Sequence, residues 1–330
     1  MLSPKVSVCM ITYNHEKFIA QAIDSVLMQQ TNFDYELVIG EDCSTDGTGA
    51  IVADYQKRYP ERIRAFLREK NIGMHENGRQ TLAACRGEYI AILEGDDYWT
   101  DQHKLQKQVD HLDAHPEASV CFHNVSVLGQ KKDEVARLTW CPDDLPRIIE
   151  FRELLKHDPV PGCAWMCRRA MLPPIPDCLS SVLMGDWATL LLLAQNGPLH
   201  YLPEIMGVYR IHAGGVHSQF DQVARDECCV DFYRQIESCF RPYRNDIRRY
   251  RAFRHLDLIR HYLKTGSQAA CKSHFCGFLA TYPNIRDAFP LRALLWLALQ
   301  IYAPRCYRAG RAVFGWYIPE TFRRFRALVR

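Results

Sequence analysis

Three carboxylates lie close together in the chain, at Glu94, Asp96 and Asp97. They directly follow the apolar run Tyr89–Leu93, which is rich in branched residues and predicts a buried parallel strand. The acids should therefore lie at the C-terminal end of that strand, the edge at which ligands bind open α/β sheets. Clustered carboxylates repel one another unless a cation such as Mg²⁺ or Mn²⁺ neutralises them. Spacing alone leaves a second interpretation open, an acidic turn before a helix near Asp101.

The elements that must position these acids alternate between strand and helix patterns through the first half of the chain. Val6–Ile11 and Tyr35–Ile39 are predicted strands, each followed by a helical pattern, and Arg79–Cys85 is predicted to be helical. This alternation predicts an α/β fold with a doubly wound, mostly parallel sheet. Beyond residue 218 the pattern is helical, so we predict a catalytic domain over residues 1–218 and a helical C-terminal region over residues 219–330.

Composition excludes several classes of protein. With 330 residues, 48% hydrophobic and 24% charged, the chain suits a globular fold and not a disordered one. No signal peptide pattern opens the sequence, so the 14 cysteines are expected to be reduced thiols in the cytoplasm. The signatures of P-loop nucleotidases, α/β-hydrolases and zinc proteases are absent, and the dinucleotide pattern that begins at Gly47 has Val52 in place of its third small residue.

Four polar segments follow one another along the chain: Thr12–Asn14, Glu41–Thr48, Asn71–Gly73 and Arg86–Asp97. Their residues, order and spacing resemble family 2 glycosyltransferases, and the resemblance covers roughly residues 6–218. It implies the GT-A fold and transfer of a sugar from a nucleotide diphosphate donor, with inversion at the anomeric carbon. It is strongest to bacterial members that build surface polysaccharide or lipopolysaccharide, which implies a UDP-sugar donor and a glycan or lipid-linked acceptor.

The same resemblance implies which residues bind the nucleoside part of the donor. Thr12 and Tyr13 would contact the nucleoside, together with Asn14 at the end of the same segment. Asp42 would accept a hydrogen bond from the base. Glu41 stands where the family more often has Asp, and its longer side chain would support the loop.

The resemblance also implies a diphosphate and metal site. Asn71 belongs to the donor-binding set, and Arg79 lies one position after an arginine that the family often uses. Asp96 is expected to bind the ribose or the metal. Asp97 and His212 are expected to bind the cofactor, Mn²⁺ or Mg²⁺.

The acceptor side of the site is predicted from Asp186. The segment around it resembles the acidic motif of the family, whose carboxylate is the general base. The alternative is that Asp186 only caps the helix that follows. Trp99 and Trp187 leave a similar choice open, between stacking on sugar faces and packing in the core.

The C-terminal segment is apolar and then strongly basic. Leu291–Ala303 is too short to span a bilayer, which takes about 20 apolar residues. Residues 285–330 hold nine arginines against Asp287 and Glu320, a net +7 that leaves −4 for the rest of the chain. We expect a helix at an anionic membrane surface, on the inner face of the plasma membrane, with packing inside the protein as the alternative. No nucleic-acid-binding module is present, so nucleic acid is not an expected partner.

Two rival functions remain open from the sequence. A sugar-phosphate nucleotidyltransferase has a similar sheet and acids but carries a glycine-rich, basic loop after its first strand, where this chain has Thr12–Glu16. A non-catalytic protein that binds nucleotide-sugars would need neither Asp97 nor Asp186.

Overall fold

The chain forms two compact units, Met1–Gln219 and Phe220–Arg330. Among the helices of the described ranges, none combines the length and the apolar character that a membrane span requires. The computed structural model describes residues 3–129, 139–179, 182–215, 220–281 and 291–304.

The first unit is built on a sheet with nine strands among its described residues. These strands are β1 Val6–Thr12, β2 Tyr35–Glu41, β3 Ile63–Leu67, β4 Tyr89–Ile92, β5 Tyr98–Trp99, β6 Val120–Gly129, β7 Ile148–Ile149, β8 Trp165–Arg168 and β9 Leu199–Ile211. Their order is β3-β2-β1-β4-β8-β6-β9-β5, with β7 beside β9. The first four strands pair in parallel, as do β6 and β9, whereas β8 is antiparallel to both of its neighbours. The predicted mostly parallel sheet is confirmed.

Helices follow most of the strands in the first unit. They are α1 Ile19–Leu27, α2 Thr48–Arg58, α3 Met74–Ala84, α4 Lys104–Ala114, α5 Phe151–Lys156 and α6 Gly185–Ala194. Helix α3 begins five residues before the predicted start at Arg79. Gly73, with a φ of +85°, turns the chain into the helix, and the buried Asn77 side chain donates to the carbonyl of Gly40 on β2. The first turn of α3 is held by a polar side chain, so the spacing of apolar residues could not predict it.

The core lies on both faces of the sheet. Every residue of β2 is buried, as expected for a parallel strand covered by helices on both sides. Helix α1 covers part of one face with four fully buried side chains at helical spacing. They are Ile19, Ala22, Ile23 and Val26.

The strand order reverses at β1, which has β2 on one side and β4 on the other. Such a reversal opens a crevice at the carboxyl ends of the two central strands. Thr12 ends β1 opposite Glu41 at the end of β2, and β4 ends at Ile92, two residues before Glu94. Parallel pairing therefore brings the predicted donor-binding segments to one edge.

The second unit is helical, which confirms the predicted C-terminal region. Leu297 and Ile301 of the last helix are buried in a cluster with Phe275 and Phe278. The arginines from Arg305 onward lie outside the described residues. The helices are α7 Gln222–Ile236, α8 Arg244–Thr265, α9 Gln268–Thr281 and α10 Leu291–Tyr302.

Most of the described cysteines behave as predicted. Eleven are free thiols, and seven of these are buried, where a thiol packs as a small apolar group. Cys178 is a disulfide cysteine, and so is Cys239. The prediction that every cysteine is reduced is therefore wrong at these two positions.

Candidate active site

The acidic loop, Glu94–Asp97, is pressed against the end of β1. The backbone N–H of Gly95 donates to the carbonyl of Ile11 at 3.0 Å. A Cβ at position 95 would lie 2.5 Å from Oγ1 of Thr12, closer than any real contact of that kind. Only glycine fits there, so the loop can bring its carboxylates to the crevice at the strand reversal.

Asp96 lies between two histidines. Its Oδ2 is 3.0 Å from Nε2 of His212 and 3.7 Å from Nε2 of His15. One donor atom from each of these three residues lies within 4.8 Å of the others, a spacing that suits a shared metal ion. Burial would raise the pKa of Asp96, but the hydrogen bond with His212 and the nearby His15 together lower it below its usual value. Asp96 is therefore ionised at neutral pH.

Asp97 is 1% exposed and faces β9. Its Oδ1 accepts the backbone N–H of Arg210 at 2.8 Å, and the Cys163 thiol hydrogen-bonds to the same carboxyl group. Burial, followed by the charge of Asp96, raises the pKa of Asp97 to about 8. The surroundings of these two adjacent carboxyl groups therefore shift their pKa values in opposite directions.

Glu94 turns its side chain toward Gly162, where a Cβ would lie 2.8 Å from Oε1. The other oxygen, Oε2, is buried and has no hydrogen-bond partner among the described residues. Burial and then the charges of Asp97 and Asp96 raise the pKa of Glu94 well above its usual value, and Asp186 acts in the same direction. An unpartnered carboxyl oxygen beside two other acids is an arrangement that a bound cation would stabilise.

Asp42 joins the end of β2 to the segment that precedes α3. Its Oδ1 accepts the backbone N–H of Ile72 at 2.8 Å, and its Oδ2 accepts that of Gly73 at 3.0 Å. The Asn71 amide donates to the Asp42 carbonyl, and the Asp42 N–H donates to the carbonyl of Thr12. The structure therefore brings three predicted donor-binding residues together. A carboxylate has about four acceptor positions, so Asp42 can accept a further hydrogen bond.

The segments after β1 and β2 are held together by polar side chains. Asn14, with a left-handed φ of 57°, accepts the backbone N–H of Thr45 on its Oδ1 at 2.8 Å. Buried Glu41 accepts the N–H of Ser44 on its Oε1 at 2.8 Å. Both side chains shape the loop that follows β2. Tyr13 is 42% exposed, and its ring surface is therefore available to a ligand.

Asp186 lies in the first turn of α6, one residue after the helix begins. The capping position is Met184, and Oδ1 of Asp186 accepts the N–H of Trp187 at 2.8 Å. Asp186 is thus not the cap itself, although it satisfies one free N–H group of the first turn. Burial and then the charge of Asp186 raise the pKa of half-buried Asp158 well above its usual value. Asp186 also acts on Glu94, so these three acids share one electrostatic environment.

Comparison with known families decides the class of protein. Residues 7–172 match the sequence model described as Glycosyl transferase family 2. The chain belongs to this family.

Its relatives include an uncharacterized protein of Mycobacterium tuberculosis that is 42% identical over 219 residues, covering 65% of this glycosyltransferase and 61% of the relative. The match thus spans about three fifths of the mycobacterial protein. The putative teichuronic acid biosynthesis glycosyltransferase TuaG of Bacillus subtilis is 28% identical over 236 residues, covering 71% of this chain and 89% of TuaG.

Solved structures confirm the predicted GT-A fold of this family 2 glycosyltransferase. The S. aureus TarS structure in complex with UDP-GlcNAc has a TM-score of 0.64 at 18% identity, over 95% of this chain and 93% of that chain. The mannosyltransferase PcManGT from Pyrobaculum calidifontis, in complex with GDP-Man and Mn²⁺, has a TM-score of 0.56 at 19% identity, over 94% and 83%.

The two tryptophans near the site of this glycosyltransferase pack in the core. Trp99 is 1% exposed and donates its indole N–H to the carbonyl of Cys163 at 2.8 Å. Trp187 is 4% exposed and donates to the carbonyl of Leu154 at 2.9 Å. Of the two alternatives left by the sequence, the structure shows core packing and not exposed stacking surfaces. Buried Lys104 places its Nζ 3.7 Å from the centre of the Trp99 ring.

Arg79, predicted for the diphosphate, is half exposed on α3. Its guanidinium donates to both oxygens of Glu76, one turn earlier, at 2.5 and 2.8 Å. This ion pair holds the Arg79 side chain on the helix surface. Contact between Arg79 and a diphosphate remains a prediction.

Sequence reasoning missed His15 and Arg210 in the glycosyltransferase site. Arg210 donates its side chain to the Asp96 carbonyl and lies 4.3 Å from the centre of the Tyr98 ring. Two signals were available. Arg210 is two residues from His212 on an extended strand and so shares its face. His15 lies three residues after the end of β1, in the loop where ligand-binding residues are expected.

Proposed function

We propose that this family 2 glycosyltransferase transfers a sugar, with inversion at the anomeric carbon, from a UDP-sugar to a hydroxyl of a glycan or lipid-linked acceptor. The observation that carries the proposal is the meeting of the Asp42 loop and the Asp96–His212 pair at one sheet edge, within electrostatic range of Asp186. Sugar transfer needs three parts: a group that hydrogen-bonds to the nucleobase of the donor, a cationic site for the diphosphate, and a group that takes the proton of the incoming hydroxyl.

The residues around Asp96 fit a divalent metal ion. One carboxylate and two imidazoles lie within 4.8 Å of one another, beside the unpartnered oxygen of Glu94. We assign Asp96, His212 and His15 as ligands in preference to Asp97, whose Oδ1 is engaged by a backbone N–H of β9. When bound, Mn²⁺ or Mg²⁺ would stabilise the negative charge of the departing diphosphate. PcManGT, which shares the fold and was solved in complex with GDP-Man and Mn²⁺, supports this assignment.

The Asp42 loop supports uracil as the base of the donor. Uracil presents one ring N–H, which matches one further hydrogen bond to a carboxylate whose oxygens already accept the N–H groups of Ile72 and Gly73. The exposed ring of Tyr13 offers an aromatic face for stacking on the base. TarS, which shares the fold, is a complex with UDP-GlcNAc.

We assign Asp186 as the general base that accepts the proton of the acceptor hydroxyl. Burial and the charge of Asp186 raise the pKa of Asp158, which disfavours the ionised form of that neighbour, whereas the side chain of Asp186 is exposed and open to an acceptor. A carboxylate is far too weak a base to ionise a sugar hydroxyl in advance. The proton must therefore leave while the hydroxyl oxygen bonds to the anomeric carbon and the bond to the diphosphate breaks.

We further propose a role in bacterial surface polysaccharide synthesis, with catalysis in residues 1–218 and attachment to the cytoplasmic face of the membrane through the C-terminal tail, residues 285–330. The likeness to TuaG over 89% of that protein supports the polysaccharide role. Helix α10 leaves Leu295, Leu299 and Tyr302 between 42% and 57% exposed, and the segment from residue 285 carries a net +7. Exposed apolar side chains beside positive charge suit an anionic membrane surface.

Calorimetric titration with UDP and GDP, each with and without Mn²⁺, tests the donor and metal assignments. Mn²⁺ should strengthen UDP binding at least tenfold, about 1.4 kcal/mol, because it offsets repulsion between the diphosphate and the acids. Asp96→Asn should abolish that gain. Asp54→Asn, which removes an exposed carboxylate from α2, should keep it. Equal UDP affinity with and without Mn²⁺ would remove the metal assignment, and tighter binding of GDP would overturn the choice of donor.

A screen of UDP-sugars with glycan acceptors tests the reaction itself. The expected products are UDP and an elongated acceptor whose new linkage has the opposite anomeric configuration to the donor. Release of pyrophosphate from UTP and a sugar phosphate would instead identify a nucleotidyltransferase.

A further inference from the structure

A second cluster of metal-binding side chains lies at the opposite edge of the sheet from the acids. His111 and His115 are four residues apart at the end of α4 and therefore share one face of the helix. His200 is the second residue of β9, and Glu117 lies in the connection from α4 to β6. Along β9, His200 is ten residues from Arg210, or roughly 30 Å, so this cluster is separate from the active site.

The donor atoms of the cluster are spaced as ligands of one ion would be. Nε2 of His111 is 3.0 Å from Nδ1 of His200, and one nitrogen from each of the three histidines lies within 4.8 Å of the others. Oε1 of Glu117 is 3.3 Å from Nδ1 of His115 and 3.8 Å from Nε2 of His200. Two ligands each about 2.0 Å from a tetrahedral zinc ion lie roughly 3.3 Å apart.

The cluster is also incompletely satisfied as it stands. His200 is 5% exposed, and its buried Nε2 has no hydrogen-bond partner within the part of the chain that the structure describes.

We propose that His111, His115 and His200 bind a zinc ion, with the Glu117 carboxylate as the fourth ligand. Three nitrogen donors and one oxygen favour Zn²⁺ over Mg²⁺ or Mn²⁺, which prefer oxygen ligands. Four protein ligands leave no open position, so the ion has a structural role. It joins the end of α4 to the start of β9, the strand whose far end carries Arg210 and His212.

The competing explanation for the cluster needs no metal. Nε2 of His111 and Nδ1 of His200 could share a proton in an ordinary hydrogen bond at 3.0 Å. A zinc ion bound to Nδ1 of His200 would likewise leave the buried Nε2 of that ring without a partner, so Nε2 favours neither explanation. The hydrogen-bonded pair alone would bind no zinc, which makes the two explanations separable by direct measurement.

The experiment is a zinc titration of the untagged full chain against a chromophoric chelator, in the Asp96→Asn background so that the active site does not contribute. We expect one zinc per chain, and Co²⁺ in its place should give the strong visible absorption of four-coordinate cobalt. His111→Gln with His115→Gln should weaken zinc binding by more than ~100-fold, since losing even an outer-shell partner costs about 10- to 100-fold. The matched control is His103→Gln, an exposed histidine just before the same helix, which should change nothing.

Thermal unfolding provides the second measurement. Free zinc at a hundred times its Kd should raise the Tm of the Asp96→Asn parent protein by roughly 5 to 10 °C. It should not raise the Tm once His111→Gln and His115→Gln are added. Glu117→Ala alters a side chain that is 56% exposed, so it should fold normally and bind zinc more weakly. The proposal is overturned if the parent binds no zinc, or if zinc binding survives both the double substitution and Glu117→Ala.

Discussion

The replacement of Asp186 by Asn separates a general base from a structural acid. In the structure, Oδ1 of Asp186 accepts the N–H of Trp187 at 2.8 Å. The amide oxygen of Asn would lie at nearly the same position and could still accept this hydrogen bond. The helix loses one negative charge from its first turn, which costs about 0.3 to 1 kcal/mol of stability at an exposed site. An amide cannot take a proton at neutral pH. Turnover should therefore fall by about 10²- to 10⁴-fold, or roughly 3 to 5 kcal/mol in the barrier.

The measurements are turnover by UDP release, donor Kd by calorimetry, and Tm. Asp186→Asn should lower kcat with little change in donor Kd, because the proton is transferred only in the transition state. Asp158→Asn is the matched control. Burial and the charge of Asp186 raise the pKa of Asp158, so replacing Asp158 by an amide should change the charge of the site and the rate less than Asp186→Asn does. Full turnover in Asp186→Asn would refute the assignment, and a large loss in Asp158→Asn alone would move the base to that residue.

Two further predictions concern stability and membrane attachment. Lys104 is fully buried, and burial lowers its pKa to about 7 from 10.5. Between these pH values the unfolded chain binds more protons than the folded protein, so the free energy of unfolding falls as the pH drops toward 7. Urea unfolding should show that Lys104→Met gains of order 1 kcal/mol or more in the free energy of unfolding at pH 7, and that this gain shrinks by pH 10. A gain that does not depend on pH would show that Lys104 is charged in the folded protein, over the Trp99 ring. The full chain should float with anionic vesicles at low salt and be released at high salt, and Leu295→Gln with Leu299→Gln should weaken this where the exposed Leu279→Gln does not. A chain that ignores such vesicles at low salt would show that α10 serves only packing.

The strands and their polar ends were predictable because their signals are local. Continuous apolar runs mark buried parallel strands, and the residue after each run must lie at the ligand-binding edge. Glu94, Asp96 and Asp97 were predicted in this way, whereas Thr12 and Asp42 were predicted from the resemblance to the family. The second half of the site depends on pairing over long sequence separations. His212 reaches Asp96 only because β9 pairs with β5 and β6, and no local pattern specifies that pairing.

Burial decided the remaining differences. Trp99 has the type of side chain that stacks on sugars, but the sequence could not show that its ring would be buried. The zinc cluster joins His111 to His200 across 89 positions of the chain, which the spacing of histidines on α4 alone could not predict. The hydrogen bond from Arg210 to Asp97 was hidden for the same reason, because a backbone donor has no signature in the sequence.

The acidic loop is anchored on both sides, by β4 on β1 and by β5 on β9. Its four residues, Glu94–Asp97, therefore lose their conformational freedom when the protein folds and not when a ligand arrives. Ordering four backbone positions costs about 4 to 8 kcal/mol. If the loop became ordered only on binding, this cost would weaken donor binding by about a thousandfold or more. Substitutions that loosen the pairing of Tyr98 or Trp99 with β9 should therefore weaken donor binding by loosening the loop.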